Sequence, residues 1–165
     1  MKPSVREKRH RLPPHAYRGR VVAAFTVCTR DNVRYFDHRP IIEVARSALE
    51  EAFVEAGGHV GVYVFMPEHM HLIVSGRDES SDLLILMKGF KQKTTFRVRQ
   101  RGIEFAWQKD FYDHIIRANE DYGAQVRYLL RNPVRRGLCE RWQDWPHRGV
   151  LGQTWEQLLF NIATL

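Results

Sequence analysis

The chain has 165 residues, a length that suits one domain and allows a sizeable core. A composition of 44% hydrophobic and 27% charged residues excludes wholesale disorder. The formal charge of +7 favours a polyanionic partner such as nucleic acid. Cys28 and Cys139 lie far apart, which excludes a disulfide framework or a zinc knuckle. No export signal or membrane span is recognisable, so we expect a cytoplasmic protein.

The first half of the chain predicts a strand, a helix and a hairpin. Residues 1–19 are basic and contain two adjacent prolines, which indicates an N-terminal arm. Residues 20–30 are rich in β-branched and aromatic residues and predict a strand. Apolar residues recur at helical spacing over 42–56, and two glycines follow. Residues 59–76 then predict an antiparallel hairpin, because a proline interrupts two strand-like runs at Met66-Pro67.

The second half predicts two more helices and a strand. Helical spacing covers 81–100, and residues 105–118 predict a strand. Asn119 is then expected to cap a helix whose first turn carries Glu120 and Asp121. This order predicts an α+β fold, with a ferredoxin-like antiparallel sheet, helices on one face and an additional helix. We expect one domain over residues 20–140 and a tail, residues 141–165, that docks on the domain or on a partner.

The stretch "EHMHLIV" places two histidines in a predicted strand. Strand side chains alternate between faces, so His69 and His71 share a face, and Glu68 is predicted to point to the other. Neutral imidazoles bind divalent transition metals and can complete a magnesium or manganese site. The pair is therefore either half of a metal site or two ordinary histidines that form hydrogen bonds at the sheet surface.

The last predicted helix separates an apolar stripe from a polar face. The stripe consists of Tyr122, Val126, Leu129 and Leu130. Tyr128 lies on the opposite side with Gln125, and Asn132 follows it by one turn. Because a phenol with a pKa near 10 is a weak nucleophile, it needs an electrophile that a metal has activated. Tyr128 could equally be a solvent-facing residue, with Asn132-Pro133 only ending the helix.

Three sequence blocks together resemble a known family. In chain order they are "MPEHMHLIVSG", "WQKDFYDHIIR" and "VRYLLRNPVRRGL". They resemble the single-tyrosine HUH transposases of insertion sequences, and in particular their domesticated relatives, the REP-associated tyrosine transposases, over about residues 17–150. The resemblance implies a ferredoxin-like enzyme that cuts and joins single-stranded DNA through a transient 5′-phosphotyrosine. It also implies Mg²⁺ or Mn²⁺ as cofactor and no nucleotide cofactor.

The resemblance also implies roles for individual residues. His69 and His71 match the paired metal ligands, and Tyr128 matches the catalytic nucleophile. Asn132 matches the position of a further polar metal ligand. Some relatives carry Gln there, and Gln125 is the local substitute on the same predicted face.

Substrate binding is expected to involve cationic side chains that follow a phosphate backbone. The candidates are Lys88, Lys91, Lys93, Arg99, Arg127, Arg131, Arg135 and Arg136. Each could instead belong to a solvated helix face. Trp107, Phe111 and Tyr112 could stack on bases or lie in the core. The expected partner is single-stranded DNA with a hairpin or repeat, bound by a monomer or homodimer that associates with the nucleoid and not with a membrane.

Two other functions stay open. A non-catalytic nucleic-acid-binding module on the same fold would need neither the histidines nor Tyr128. A metal-dependent hydrolase without a covalent step would need a carboxylate-rich pocket, which the predicted direction of Glu68 disfavours. Tyr122 and Tyr112 are weaker candidates for the nucleophile, because the former lies on the apolar stripe and the latter has no amide one turn away. His114 is a candidate auxiliary residue.

Overall fold

A computed structural model describes residues 11–164, so residues 1–10 of the predicted N-terminal arm lie outside the described residues. The strands are β1 (Val22–Cys28), β2 (Gly58–Met66), β3 (His69–Gly76), β4 (Tyr112–Ile116) and β5 (Arg148–Leu151). The α-helices are α1 (Arg39–Glu55), α2 (Leu83–Arg99), α3 (Tyr122–Leu130), α4 (Asn132–Arg135) and α5 (Trp155–Ala163).

The five strands form one antiparallel sheet in the order β4-β1-β3-β2-β5. The predicted α+β class with a ferredoxin-like antiparallel sheet is therefore confirmed. The edge strand β5 comes from the predicted tail and pairs with β2. Within the described residues, no helix is long and apolar enough to span a lipid bilayer.

Helices cover both faces of the sheet. Apolar residues of α1 and α2 pack on one face around Phe25, Phe65 and Leu72. Those of α3 and α5 pack on the other face, against Val62, Val64, Met66 and Ile73. The strands supply both cores because alternate side chains point to opposite faces. The face that carries α3 is called the α3 face below.

The predicted start of the third helix was wrong. Asn119 does not cap it, since the helix begins at Tyr122 and the Asp121 carboxylate accepts a hydrogen bond from the Ala124 amide at 2.8 Å. Glu120 instead accepts from the Arg117 amide at 3.0 Å and closes a turn before the helix. Because the Glu120 side chain closes this turn, the helix is capped by Asp121, two residues after the predicted Asn119.

The predicted strand 105–118 was too long, since only Tyr112–Ile116 is a strand. The preceding residues form irregular chain that buries Phe105 and Trp107 in the core on the α1 and α2 face. Lys91 from α2 donates to the carbonyls of Gln108 and Lys109, at 2.7 Å and 2.9 Å. These carbonyls are satisfied by a side chain, so the segment needs no ladder of strand hydrogen bonds.

Candidate metal and nucleophile site

The histidine pair lies on the α3 face of the sheet. In the register, His71 lies between Thr26 of β1 and Val64 of β2. His69 lies opposite Met66 of β2. Val64 and Met66 belong to the core that α3 covers. Residues directly opposite each other on paired strands point to the same face, so His71 and His69 lie on the face that α3 covers. Strand alternation thus brings both imidazoles to the side of the sheet on which the tyrosine helix packs.

The two imidazole rings meet through their Nε2 atoms, which are 3.0 Å apart. Each Nδ1 atom has a partner of its own. His71 Nδ1 lies 3.0 Å from the Thr26 hydroxyl, and His69 Nδ1 lies 3.1 Å from the Glu68 carboxylate. Burial, followed by the charge of His69, lowers the pKa of His71 to about 3. His71 is therefore neutral near pH 7, which is the form that binds a metal.

Glu68 does not point to the opposite face, and this part of the sequence interpretation was wrong. The strand begins only at His69, and Glu68 lies in the preceding turn, so strand alternation does not apply to it. Its carboxylate accepts from His69 and also forms an ion pair with Arg136. The hydrogen bond with His69, with a further contribution from Arg136, holds the pKa of Glu68 at about 2. Glu68 is thus an ionised carboxylate beside the histidines.

Tyr128 lies on the solvent side of α3. Val126, Leu129 and Leu130 of this helix are buried against the sheet, whereas Tyr128 is 57% exposed. The Arg135 guanidinium lies 4.4 Å from the centre of the Tyr128 ring. The phenol is therefore accessible to a large substrate and has a cation beside it.

The Asn132 side chain contacts its own helix. Its Nδ2 donates to the carbonyls of Tyr128 and Leu129, at 3.0 Å and 3.3 Å. Among the contacts described for residues 11–164, none joins Asn132 to His69 or His71. The amide therefore caps the C-terminal end of α3 in this structure, because it donates to two carbonyls of the last turn.

Gln125 and His114 form a separate cluster around Glu120. The Glu120 carboxylate lies 2.6 Å from His114 Nε2 and accepts from Gln125 Nε2 at 3.2 Å. His114 pairs with Ala24, whereas His71 pairs with Thr26, two residues further along β1. The cluster shares the α3 face with the histidine pair, but no described contact connects the two.

The candidate DNA-binding cations divide between the two sides of the sheet. Lys88 and Lys91 lie on α2, on the side away from the histidines, and Lys91 is held by loop carbonyls. The remaining candidates near Tyr128 are exposed, namely Arg127, Arg131, Arg135 and Arg136. Arg127 also donates to the Ile162 carbonyl at 3.3 Å. Only this second group shares a side of the molecule with Tyr128.

The donor set suits a divalent cation that keeps water or substrate oxygens. Within residues 11–164, no group of three or more His, Cys, Asp or Glu residues is placed to hold a metal. His69 and His71 provide two imidazole nitrogen donors, so further ligands would have to be amide, water or phosphate oxygens. Mg²⁺ and Mn²⁺ accept such a mixed set and commonly bind substrate phosphates, so the residues present fit either ion.

Sequence reasoning missed Thr26, Arg136 and the true position of Glu68. Thr26 could have been found by aligning the two predicted strands, because it stands opposite His71 in the register. Arg136 was recognised only as a candidate phosphate contact. Its ion pair with Glu68 joins residues 68 positions apart, which no local periodicity reveals.

The paired histidines lie on the sheet face that α3 covers, and Tyr128 is exposed on that helix, an arrangement compatible with a transposase-type protein. The chain is 33% identical over 95 residues to the REP-associated tyrosine transposase of Escherichia coli, a match that covers 55% of this chain and 56% of that protein. The chain thus spans little more than half the length of that relative. No protein-family model matches the chain.

Two further comparisons extend the match. A candidate REP-associated tyrosine transposase of Haemophilus influenzae is 24% identical over 148 residues, or 81% of this chain and 84% of that protein. A solved REP-associated tyrosine transposase bound to a REP hairpin is 26% identical, with a TM-score of 0.69 and coverage of 80% and 78%. The chain is thus similar to REP-associated tyrosine transposases in sequence and in fold, and the predicted resemblance is confirmed.

Proposed function

We propose that the chain is a metal-dependent single-stranded DNA endonuclease and strand transferase. It recognises a DNA hairpin or repeat and cleaves and rejoins the strand through a 5′-phosphotyrosine. The observation that supports this proposal best is the pair of Nε2 atoms 3.0 Å apart on the sheet face that the tyrosine helix covers. A binding protein would need neither this pair nor an exposed tyrosine on the helix that covers the same face.

His69 and His71 would hold the Mg²⁺ or Mn²⁺ ion, with Asn132 as a candidate further ligand. The bound ion would supply Lewis-acid polarisation of the scissile phosphate. Asn132 would offer its Oδ1, since its Nδ2 donates to the carbonyls of Tyr128 and Leu129. Each histidine would offer its Nε2, because its Nδ1 already has a partner.

Tyr128 performs the covalent step. Its hydroxyl oxygen attacks the phosphorus and loses its proton to solvent, and the bond from phosphorus to the 3′ oxygen breaks. The released 3′ oxygen takes up a proton, and the 5′ phosphate stays esterified to Tyr128. Attack by a 3′-hydroxyl reverses these steps and rejoins the strand. Arg135 lies close enough to Tyr128 to favour negative charge there during the attack.

The expected partner is hairpin-bearing DNA. The relative of known structure is bound to a REP hairpin. In this chain the exposed cations Arg131 and Arg135 would contact phosphates next to the strand that Tyr128 attacks. Such contacts orient a nucleic acid without reading its sequence.

The proposal predicts a covalent protein–DNA adduct. A hairpin-bearing single-stranded oligonucleotide incubated with the protein and Mn²⁺ should give a species that survives denaturing electrophoresis. Tyr128→Phe should abolish the adduct and keep DNA binding within about two-fold, because only the attacking oxygen is lost. Tyr112→Phe is the matched control and should form the adduct normally. An adduct with the Tyr128→Phe protein would show that another residue is the nucleophile.

A second candidate function is a hairpin-binding module without catalysis. The observation that favours it is that, within residues 11–164, no third His, Cys, Asp or Glu is placed to hold a metal together with the two histidines. If this function is correct, the wild-type protein binds the hairpin but forms no covalent protein–DNA adduct in the presence of Mg²⁺ or Mn²⁺.

A further inference from the structure

We infer that Glu68 and Arg136 are positioning residues, which fix the His69 ring for metal binding and tie the segment after the tyrosine helix to the histidine strand. This inference rests on the proposed function, because it assumes that His69 is a metal ligand. Glu68 Oε1 contacts His69 Nδ1 at 3.1 Å and also contacts Arg136 Nη1. One carboxylate oxygen therefore links residues from two elements.

The contact with Glu68 orients the His69 ring. The carboxylate lies 3.1 Å from Nδ1 of His69, while Nε2 of the same ring faces His71, 3.0 Å away. The Thr26 hydroxyl engages Nδ1 of His71 in the same way, at 3.0 Å. Glu68 thus fixes the ring orientation that presents Nε2 of His69 to a metal.

The two rings are held by different partners. A hydroxyl can donate or accept, so Thr26 can hold His71 through Nδ1 in either tautomer. Glu68 contacts Nδ1 of His69, the nitrogen opposite the Nε2 that would bind the metal, so it acts on the metal site through the ring.

Arg136 holds the carboxylate in place. The side chain of Glu68 is 15% exposed, whereas that of Arg136 is 42% exposed and comes from the residue directly after α4. An ion pair that is partly buried on the carboxylate side restricts the rotation of Glu68. Arg136 follows Tyr128 by eight residues. Its ion pair with Glu68 therefore also joins the segment after the nucleophile helix to the start of β3, where the two histidines lie.

Two measurements on the full chain test these roles. Calorimetric titration with Mn²⁺ alone should show about 10-fold to 100-fold weaker binding for Glu68→Gln, which is typical of a lost carboxylate–histidine contact. Arg136→Gln should weaken binding less, by about three-fold, and should add little in the double variant, because both act through one carboxylate. Nitrogen-15 NMR of the metal-free protein should show the Nδ1–H form of His69 in the wild type and a mixture in Glu68→Gln.

Matched variants separate the possible outcomes. Arg141→Gln removes an exposed arginine that pairs with Asp144, away from the histidines, and should leave Mn²⁺ affinity unchanged. His69→Ala should abolish the Mn²⁺ signal. Wild-type affinity and an unchanged NMR spectrum in Glu68→Gln would overturn the positioning role and leave the proposed function intact. Equal Mn²⁺ binding by the wild type and His69→Ala would overturn both, because the metal would bind elsewhere.

Discussion

Tyr17 is fully buried and fixes the start of the described chain to β4. Its hydroxyl donates to the carboxylate of Asp113, which also accepts from Arg11 at 3.3 Å. Asp113 opposes Phe25 on β1, so this cluster lies on the sheet face away from the histidine pair. Burial, followed by the hydrogen bond to Asp113, raises the pKa of Tyr17 to about 12. The phenol therefore keeps its proton well above the pH at which a free tyrosine loses it.

Replacing Tyr17 should affect stability in a pH-dependent way. Tyr17→Phe should lower the free energy of unfolding at pH 7 by about 1.5–3 kcal/mol, because a buried hydrogen bond to a carboxylate is lost. The unfolded chain ionises near pH 10 and the folded chain near pH 12, so the contribution of Tyr17 is complete below pH 10 and falls between these values. Urea unfolding of both proteins at pH 7 and between pH 9 and 11 measures the difference. A difference that does not shrink above pH 10 would contradict this assignment.

The segment after Cys139 becomes part of the domain through Arg148. Its guanidinium lies beside two neighbouring indole rings, 5.0 Å from the centre of Trp142 and 4.6 Å from that of Trp155. It also donates to the carbonyls of Trp142 and Gln143, at 3.1 Å and 2.7 Å. Arg148 therefore joins β5 to the turn before it and to α5, which packs on α3.

Removal of this arginine should loosen both C-terminal elements together. Arg148→Ala should lower the free energy of unfolding by about 2–4 kcal/mol, because a desolvated cation–π contact and two charge-assisted hydrogen bonds are lost. Hydrogen exchange should accelerate over β5 and α5 more than over α1 and α2. Arg117→Ala removes an exposed arginine and should change stability by less than about 0.5 kcal/mol. Uniform exchange across the chain in Arg148→Ala would contradict a local role.

The elements that the sequence predicted well are those with one buried face. Helices α1 and α2 and the β2–β3 hairpin follow the apolar spacing, because burial of one face enforces it. Strand alternation likewise predicted that His69 and His71 share a face. The start of α3 and the position of Glu68 depend instead on turns, in which a side chain satisfies a particular donor. The link to Arg136 depends on tertiary structure, so a local pattern could not supply it.

Across the whole molecule, the positively charged side chains differ in how accessible they are to a polyanionic partner. On the α2 side, Lys93 and Arg97 pair with Glu51 and Glu55 of α1. Lys91 is occupied by carbonyls, and burial lowers its pKa. Arg131 and Arg135 are exposed on the segment that carries Tyr128. The charge composition indicated a polyanionic partner, but only the structure separates occupied cations from accessible ones.

This distribution predicts that DNA binding is sensitive to substitutions on one side of the molecule. Arg131→Gln and Arg135→Gln should each weaken binding of a hairpin-bearing oligonucleotide at low salt, and each should reduce the slope of log K against log salt by about one, as expected for one lost phosphate contact. Lys88→Gln removes an equally exposed charge from α2 and is the matched control, with slope and affinity close to those of the wild type. Fluorescence anisotropy at four or more salt concentrations gives both quantities. If Lys88→Gln lowers the slope as much as Arg135→Gln, the DNA also contacts the α2 side, and Tyr128 does not mark the centre of the binding surface.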